Sequence, residues 1–188
     1  MCGCNKNKAA SYLTQTNQIA AQKQPALIGP IVVLKNADQV QVTDPSVPVL
    51  PTVDTSVWGP PLWKALHIAA HHTKYKAQMH TWKALLYALR YALPCPDCSN
   101  HYNEWYRTHE LRFSMFPRGF NLAVISWLKD LHNNVNMRLG RPTWDSPRLT
   151  VEYGGIRAEK LSEGRKALQQ IRGVIGTSAY DLLMSLLQ

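Results

Sequence analysis

Two cysteines separated by two residues are the part of this sequence best suited to chemistry. Cys95 and Cys98 lie in the stretch LPCPDCSNHY at 93–102, which is typical of the start of a helix. A disulfide between cysteines this close is small and exchangeable, as redox chemistry requires. Pro96 fits a first helical turn, where its missing N–H costs nothing. The free amides of that turn favour a thiolate, so the spacing indicates thiol–disulfide exchange.

The same cysteines could instead form half of a zinc site. His101 completes a C-x-x-C-x-x-H run, and cysteine and histidine at such spacings bind structural zinc. The motif by itself leaves both interpretations open, and the role of His101 stays open in either case.

Length, composition and charge limit the class of protein. The length of 188 residues and the hydrophobic fraction of 45% predict one domain with a tail. The 21 Lys and Arg residues give a net charge of +9 but form no long basic run, so we expect no nucleic-acid binding. No apolar stretch reaches the ~20 residues of a membrane helix. The first twenty residues lack an apolar core, so we expect no secretory signal either.

Residues 1–54 predict a flexible N-terminal arm. Short runs that favour strands occur at 31–34 and 40–42, and three prolines after them mark a linker. The arm begins with a second cysteine pair, Cys2 and Cys4. Four cysteines are too few for a disulfide scaffold, so redox use is the interpretation that explains both pairs.

Apolar residues at helical spacing follow from Trp58 onward. They predict helices from about Trp58 to 72, at 76–93, from the C-x-x-C to about 109, and at 121–139, with two more between 156 and 188. The fold class is therefore all-α: a four- to five-helix bundle with an extended N-terminal arm and a helical C-terminal extension. Facing helices of such a bundle suit a planar cofactor, and polar residues at 132, 133 and 136 share one helix face.

Three motifs in order resemble the Erv/ALR family of FAD-linked sulfhydryl oxidases. They are WGPPLWKALHIAA at 58–70, PCPDCSNHY at 94–102 and HNNVNMRLGRP at 132–142. The resemblance covers about 56–145 and is nearer to viral members. It implies a homodimeric helical bundle around FAD that oxidises the thiols of protein substrates and reduces O₂ to H₂O₂. We therefore assign 55–146 to an oxidase domain and 147–188 to the extension.

The resemblance also implies roles for individual residues. Cys98 would lie against the flavin, Cys95 would exchange with substrate thiols, and Cys2 and Cys4 would form a shuttle pair that carries electrons from bulky substrates. Further FAD contacts, matched position by position with His71 the weakest match, would come from Trp63, His67, His71, His132, Asn133, Val135, Asn136 and Arg141.

One departure from the family concerns a structural disulfide. Arg107 and Ser146 stand where the resemblance would place its two cysteines, so that bond cannot form. Without this disulfide the folded state loses about 2–4 kcal/mol of stability, and we expect packing by the C-terminal extension to offset that loss.

If the chain is viral, it is expected in the host cytoplasm or the virion. The alternatives are a virion structural protein without turnover and a zinc-binding module.

Overall fold

The described residues of this computed structural model, 50–74, 77–111 and 119–188, are helical and contain no strand. The all-α prediction is therefore confirmed for this part of the chain. The strand-favouring runs at 31–34 and 40–42 lie outside the described residues, and so do Cys2 and Cys4. The helices are α1 (Thr55–His72), α2 (Met79–Ala88), a 3₁₀ helix (Leu89–Tyr91), α3 (Pro96–Thr108), α4 (Phe120–Arg138), α5 (Ser146–Tyr153), α6 (Arg157–Gln170) and α7 (Thr177–Leu186).

Helix α1 lies at the centre and packs against α4, α5, α6 and α7. Its alanines allow close approach on several sides, and Ala65, Ala69 and Ala70 are fully buried. Helix α1 begins at Thr55, three residues before the predicted start near Trp58. The reason is a cap: the Asp54 carboxylate accepts the Ser56 amide proton at 2.7 Å, which satisfies one of the free N–H groups of the first turn.

Helix α2 is shorter than the sequence predicted. It ends at Ala88 and continues as the 3₁₀ turn, so the chain is no longer α-helical before Pro94. A proline disfavours helical backbone in the residue before it, which explains why no helix reaches Leu93. The core-facing stripe is confirmed, since Trp82, Leu85 and Leu86 are buried.

The C-terminal extension packs into the same core. Leu161, Leu168 and Leu183 are buried, and α7 packs against α2 while α6 covers α1. A Cβ added at Gly164 would lie 2.7 Å from Leu187 Cδ2, so glycine there permits the close approach of α6 to its neighbours. The predicted break between two C-terminal helices is confirmed at 171–176. The domain boundary after 146 stays a prediction.

Candidate functional site

The disulfide between Cys95 and Cys98 lies at the start of α3. Cys95 is the N-cap residue in extended conformation, Pro96 is the first helical residue, and the two Cα atoms are 5.2 Å apart. The amide N–H of Cys98 donates to Cys95 Sγ at 3.2 Å. A helix N-terminus carries positive partial charge, so this position favours negative charge on the Cys95 sulfur once the disulfide opens.

A cavity of about 760 Å³ adjoins the disulfide between α1, α3 and α4. Cys98 lies on its wall and Cys95 does not. The volume is within the range of small-molecule and cofactor sites. Most of the remaining wall is apolar or aromatic, with leucines from α1 and α4 and the rings of Trp58, Trp63 and Tyr102. One sulfur of the disulfide is thus presented to a ligand-sized space.

Flat rings form one side of this cavity. The Trp63 and His132 rings stack with centroids 4.1 Å apart and an interplanar angle of 3°. Behind them, His67 stacks on Tyr153 with centroids 4.9 Å apart and an angle of 12°. Helix α1 supplies Trp63 and His67 one turn apart, so the two residues share a face. The arrangement gives the cavity a planar surface of the kind on which an aromatic ligand stacks.

His67 and His132 are joined by a hydrogen bond between Nε2 of His67 and Nδ1 of His132, at 3.0 Å. Burial, followed by the neighbouring His132 and His71, lowers the pKa of His67 to about 3. Burial and the nearby Arg141 lower the pKa of His132 to about 4. Both imidazoles are therefore neutral at pH 7, and one ring must donate to the other.

The direction of that hydrogen bond follows from the second nitrogen of His67. Its Nδ1 is buried and has no hydrogen-bond partner among the described residues. Buried N–H groups without an acceptor are rarer than unpaired acceptors. The favoured tautomer therefore leaves Nδ1 of His67 unprotonated, so that His67 Nε2–H donates to His132. The proton of His132 is then on Nε2, which makes this residue of the cavity wall a donor.

Three arginines line the cavity and give it a positive potential. They are Arg138, Arg141 and Arg148, whereas Asp97 is the one carboxylate among the described residues of the wall. The Arg148 guanidinium lies 4.1 Å from the centre of the Trp144 ring, which holds its position by a cation–π contact. This excess of cations favours an anionic ligand.

Six of the predicted site residues lie on the cavity wall. They are Trp63, Cys98, His132, Val135, Asn136 and Arg141. His67 supports the wall from behind through its contacts with His132 and Tyr153. The structure does not bring His71 or Asn133 to the wall.

Asn133 and Asn136 hold the chain after α4. The Asn133 amide donates to the Trp144 carbonyl at 2.8 Å and accepts from the Trp144 N–H at 2.7 Å. The Asn136 amide donates to the Pro142 carbonyl at 3.0 Å. The two side chains therefore fix the segment that carries Trp144 onto the cavity.

Sequence reasoning missed Trp144, Arg148 and Tyr153 as site residues. A signal for α5 was present, because Asp145 precedes a proline in the first turn and its carboxylate accepts the Arg148 N–H at 2.7 Å. His101, whose role stayed open, lines the cavity, and its Nε2 lies 2.6 Å from Asn134 Oδ1.

An all-helical fold with an exchangeable C-x-x-C disulfide against a cofactor-sized cavity defines a class of helical redox proteins. The family model described as the Erv1 / Alr family matches residues 60–154, which is half of the chain. The chain belongs to this family.

Two curated relatives agree with that assignment. The chain is 26% identical to "FAD-linked sulfhydryl oxidase ERV1" of Arabidopsis thaliana over 149 residues, which are 74% of this chain and 75% of the relative. It is 25% identical over 97 residues to a protein of Invertebrate iridescent virus 6 that carries the provisional name FAD-linked sulfhydryl oxidase 347L, covering 48% of this chain and 86% of the relative. No solved structure matches the chain significantly.

In 50–74, 77–111 and 119–188, no helix is long and apolar enough to cross a membrane. The same ranges hold no group of three or more His, Cys, Asp or Glu side chains placed to bind a metal ion.

Proposed function

We propose that this chain is an FAD-dependent thiol oxidase that forms disulfides in protein substrates and reduces O₂ to H₂O₂. The observation that carries the proposal is the position of Cys98, which belongs to an exchangeable disulfide and lies on the wall of a ligand-sized cavity. Membership of the Erv1 / Alr family and the names of the two relatives support FAD as the ligand.

The residues present fit FAD. The stacked rings of Trp63 and His132 offer a planar surface, and a donor at His132 Nε2 suits a heteroaromatic edge. Arg138, Arg141 and Arg148 would neutralise a pyrophosphate. A buried Nδ1 of His67 without a partner among the described residues is a further polar atom beside the cavity wall.

The chemistry of the chain itself is thiol–disulfide exchange. A substrate thiolate attacks Cys95 Sγ, the bond to Cys98 breaks, and the electron pair stays on Cys98 as a thiolate. A second substrate thiolate then attacks the substrate sulfur of the mixed disulfide and releases Cys95. The substrate has lost two electrons and two protons, and Cys95 and Cys98 are reduced. When bound, FAD would supply the acceptor for these two electrons, and O₂ would be their final acceptor.

Attack at Cys95 rather than Cys98 follows from access. Cys98 faces the cavity, which a bound cofactor would fill, whereas Cys95 is half-buried outside the wall. The α3 amide that donates to Cys95 Sγ also stabilises this sulfur when it is released.

We also propose that the chain forms a homodimer and that, if its gene is viral, it acts in the host cytoplasm or the virion.

The visible spectrum of the purified protein tests the proposal together with the variant Cys98→Ser. We expect a bound yellow flavin that dithiothreitol bleaches in the absence of oxygen. Cys98→Ser is expected to keep the flavin but to lose its bleaching and all oxygen consumption with any thiol, because no electron can reach the cofactor from Cys95 alone.

The variant Cys2→Ser/Cys4→Ser is the matched control, since it also removes sulfur but leaves the disulfide at α3 intact. Oxygen consumption retained by Cys98→Ser would contradict the role of this residue. Bound zinc with no visible absorbance would favour the zinc-binding alternative, and a bound flavin that no thiol reduces would favour a structural protein without turnover.

A further inference from the structure

Three consecutive carbonyl groups before Cys95 are each held by a different part of the chain. The Ala92 carbonyl accepts the Gly176 N–H at 2.9 Å, and the Pro94 carbonyl accepts the Val53 N–H at 2.9 Å. Between them, the Leu93 carbonyl accepts the Ser99 hydroxyl at 3.1 Å. The loop that presents Cys95 is thus anchored by the segment before α1, by α3, and by the turn between α6 and α7.

The anchor from the C-terminal extension requires a glycine. A Cβ added at Gly176 would lie 3.0 Å from the Ala92 Cα and 3.1 Å from its Cβ. The backbone at Gly176 has φ of −56°, which any residue can adopt, so the requirement comes from the close approach and not from conformation. Because the nearest atom is backbone, the loop itself would have to shift by a few tenths of an ångström to accept a methyl group.

Movement of this loop acts directly on the disulfide. Ala92 lies three residues before Cys95. Between them, Leu93 is partly buried against the core and Pro94 is buried, and the carbonyl of each accepts its own hydrogen bond. A shift of Ala92 is therefore transmitted to Cys95, whose sulfur must stay within reach of both the Cys98 sulfur and the Cys98 amide.

We propose that Gly176 is a positioning residue for Cys95, and that the turn between α6 and α7 sets the balance between the disulfide and dithiol forms of Cys95 and Cys98. The C-terminal extension, which no motif of the sequence connects with chemistry, is then part of the redox site. The inference rests on the proposed role of Cys95 in exchange, but it concerns the cysteine pair alone.

The test is the equilibrium of the full chain with glutathione. Two glutathione thiols are oxidised to glutathione disulfide as the bond between Cys95 and Cys98 is reduced to two thiols. The measurement is made without oxygen in the background Cys2→Ser/Cys4→Ser, so that alkylation and mass spectrometry count only Cys95 and Cys98. We expect Gly176→Ala to shift the equilibrium constant at least fivefold towards the dithiol, because the displaced loop no longer favours closure.

Gly164→Ala is the matched control. It places the same methyl group in the same extension, 2.7 Å from the end of the Leu187 side chain, and it touches no part of the loop before Cys95. It is expected to lower the melting temperature and to change the glutathione equilibrium constant less than twofold. A merely structural role of Gly176 would affect melting in both variants and the equilibrium in neither.

A third variant combines Gly176→Ala with Ala92→Gly. It removes the Ala92 Cβ from the contact and keeps the Gly176 N–H donor, so its equilibrium constant should lie between those of Gly176→Ala and the parent. If Gly176→Ala does not fold, the glutathione equilibrium constant of this double variant is compared with that of the parent instead. The proposal is overturned if the constant changes less than twofold in the glycine variant, or if Gly164→Ala changes it as much. Loss of flavin or of oxygen consumption alone would bear on the proposed function and not on this inference.

Discussion

His67 shows how a buried polar residue is tolerated in the middle of an apolar helix. It is fully buried, yet its ring stacks on Tyr153 and its Nε2 has a partner in His132. A protonated imidazole at this position would lose its hydration without gaining an anion, so the neutral form is stabilised. The same pair places a donor on the cavity wall, and its protonation state therefore matters for both stability and binding.

This pair predicts a stability that falls as the solution becomes acidic. In the unfolded chain a histidine binds its proton near pH 6.5, whereas the folded pKa is about 3 for His67 and about 4 for His132. The unfolded state therefore binds more protons between about pH 4 and 6.5. The contribution of the two neutral histidines to the free energy of unfolding is fully present above that window. It falls as the pH is lowered through the window, by up to about 1.4 kcal/mol per pH unit for each histidine.

The variant His67→Gln tests this linkage. Glutamine does not titrate, so the slope of the unfolding free energy between pH 5 and 6, from urea denaturation, should decrease by about 1 kcal/mol per pH unit. His80→Gln on the exposed surface of α2 is the matched control, because solvent reaches that side chain in both states. Equal slopes in the parent and His67→Gln would show that His67 is not held neutral by the fold.

Local chemistry explains which site residues could be found from the sequence. Trp63, His132 and Asn136 lie on helices with strong apolar periodicity and within motifs that resemble a known family, and all three line the cavity. Trp144 and Tyr153 lie in or beside an eight-residue helix rich in polar residues, whose stability comes from packing. Trp144 contacts His132 and Tyr153 contacts His67 through the tertiary fold, so no local sequence pattern predicts either residue as part of the site.

Helices were predicted best where caps and periodicity agree. Helix α3 begins at Pro96 as its N-terminal proline predicts, and α4 begins within one residue of the prediction. The start of α1 differed because the Asp54 cap is separated from the first apolar residues by a polar turn. The early start of α1 bears on the site, because Thr55 and Ser56 of its first turn line the cavity.

The connection between α4 and α5 makes a prediction about cofactor retention. Asn133→Leu removes both hydrogen bonds to the Trp144 backbone and Asn136→Leu removes the bond to Pro142. Each change leaves backbone groups unpaired, which costs about 1–3 kcal/mol. The combined variant should release FAD, because Trp144 and Arg148 lose their fixed position on the cavity wall.

Flavin absorbance after gel filtration measures the release. Asn121→Leu is the matched control, since it makes the same change in the first turn of α4, about 18 Å along the helix from Asn133. We expect the control to keep its flavin and the combined variant to lose most of it. Full flavin occupancy of the combined variant at low micromolar protein would contradict the role of this segment.

The molecule as a whole stabilises its redox site without the structural disulfide that the resemblance implied. Arg107 lies in the last turn of α3 and Ser146 begins α5, so no sulfur connects these elements. Helices α6 and α7 instead bury Leu168 and Leu186 against the core, and the turn between them buries Ile171. Apolar burial of this kind stabilises by about 1.5–3 kcal/mol for each fully buried side chain, before the entropy of ordering is subtracted. The extension can thus offset a missing bond of about 2–4 kcal/mol.

Cys2 and Cys4, the N-terminal cysteine pair, lie outside the described residues. A large folded substrate must bring a cysteine pair to Cys95, which is half-buried and presented by an anchored loop. A small dithiol meets no such restriction. We therefore predict that Cys2 and Cys4 act as a shuttle pair, which accepts electrons from bulky substrates and delivers them to Cys95, within one chain or across a homodimer.

Cys2→Ser/Cys4→Ser separates the two routes of electron entry. Oxygen consumption with dithiothreitol should stay near the parent rate, because this reagent reaches Cys95 directly. Oxidation of a large reduced protein should slow severalfold, since its thiols then depend on direct access to Cys95. Single serine variants should resemble the double variant, because one cysteine cannot form the intermediate disulfide of a shuttle. A change that is equal for both substrates, or absent for both, would show that the N-terminal cysteines have another purpose.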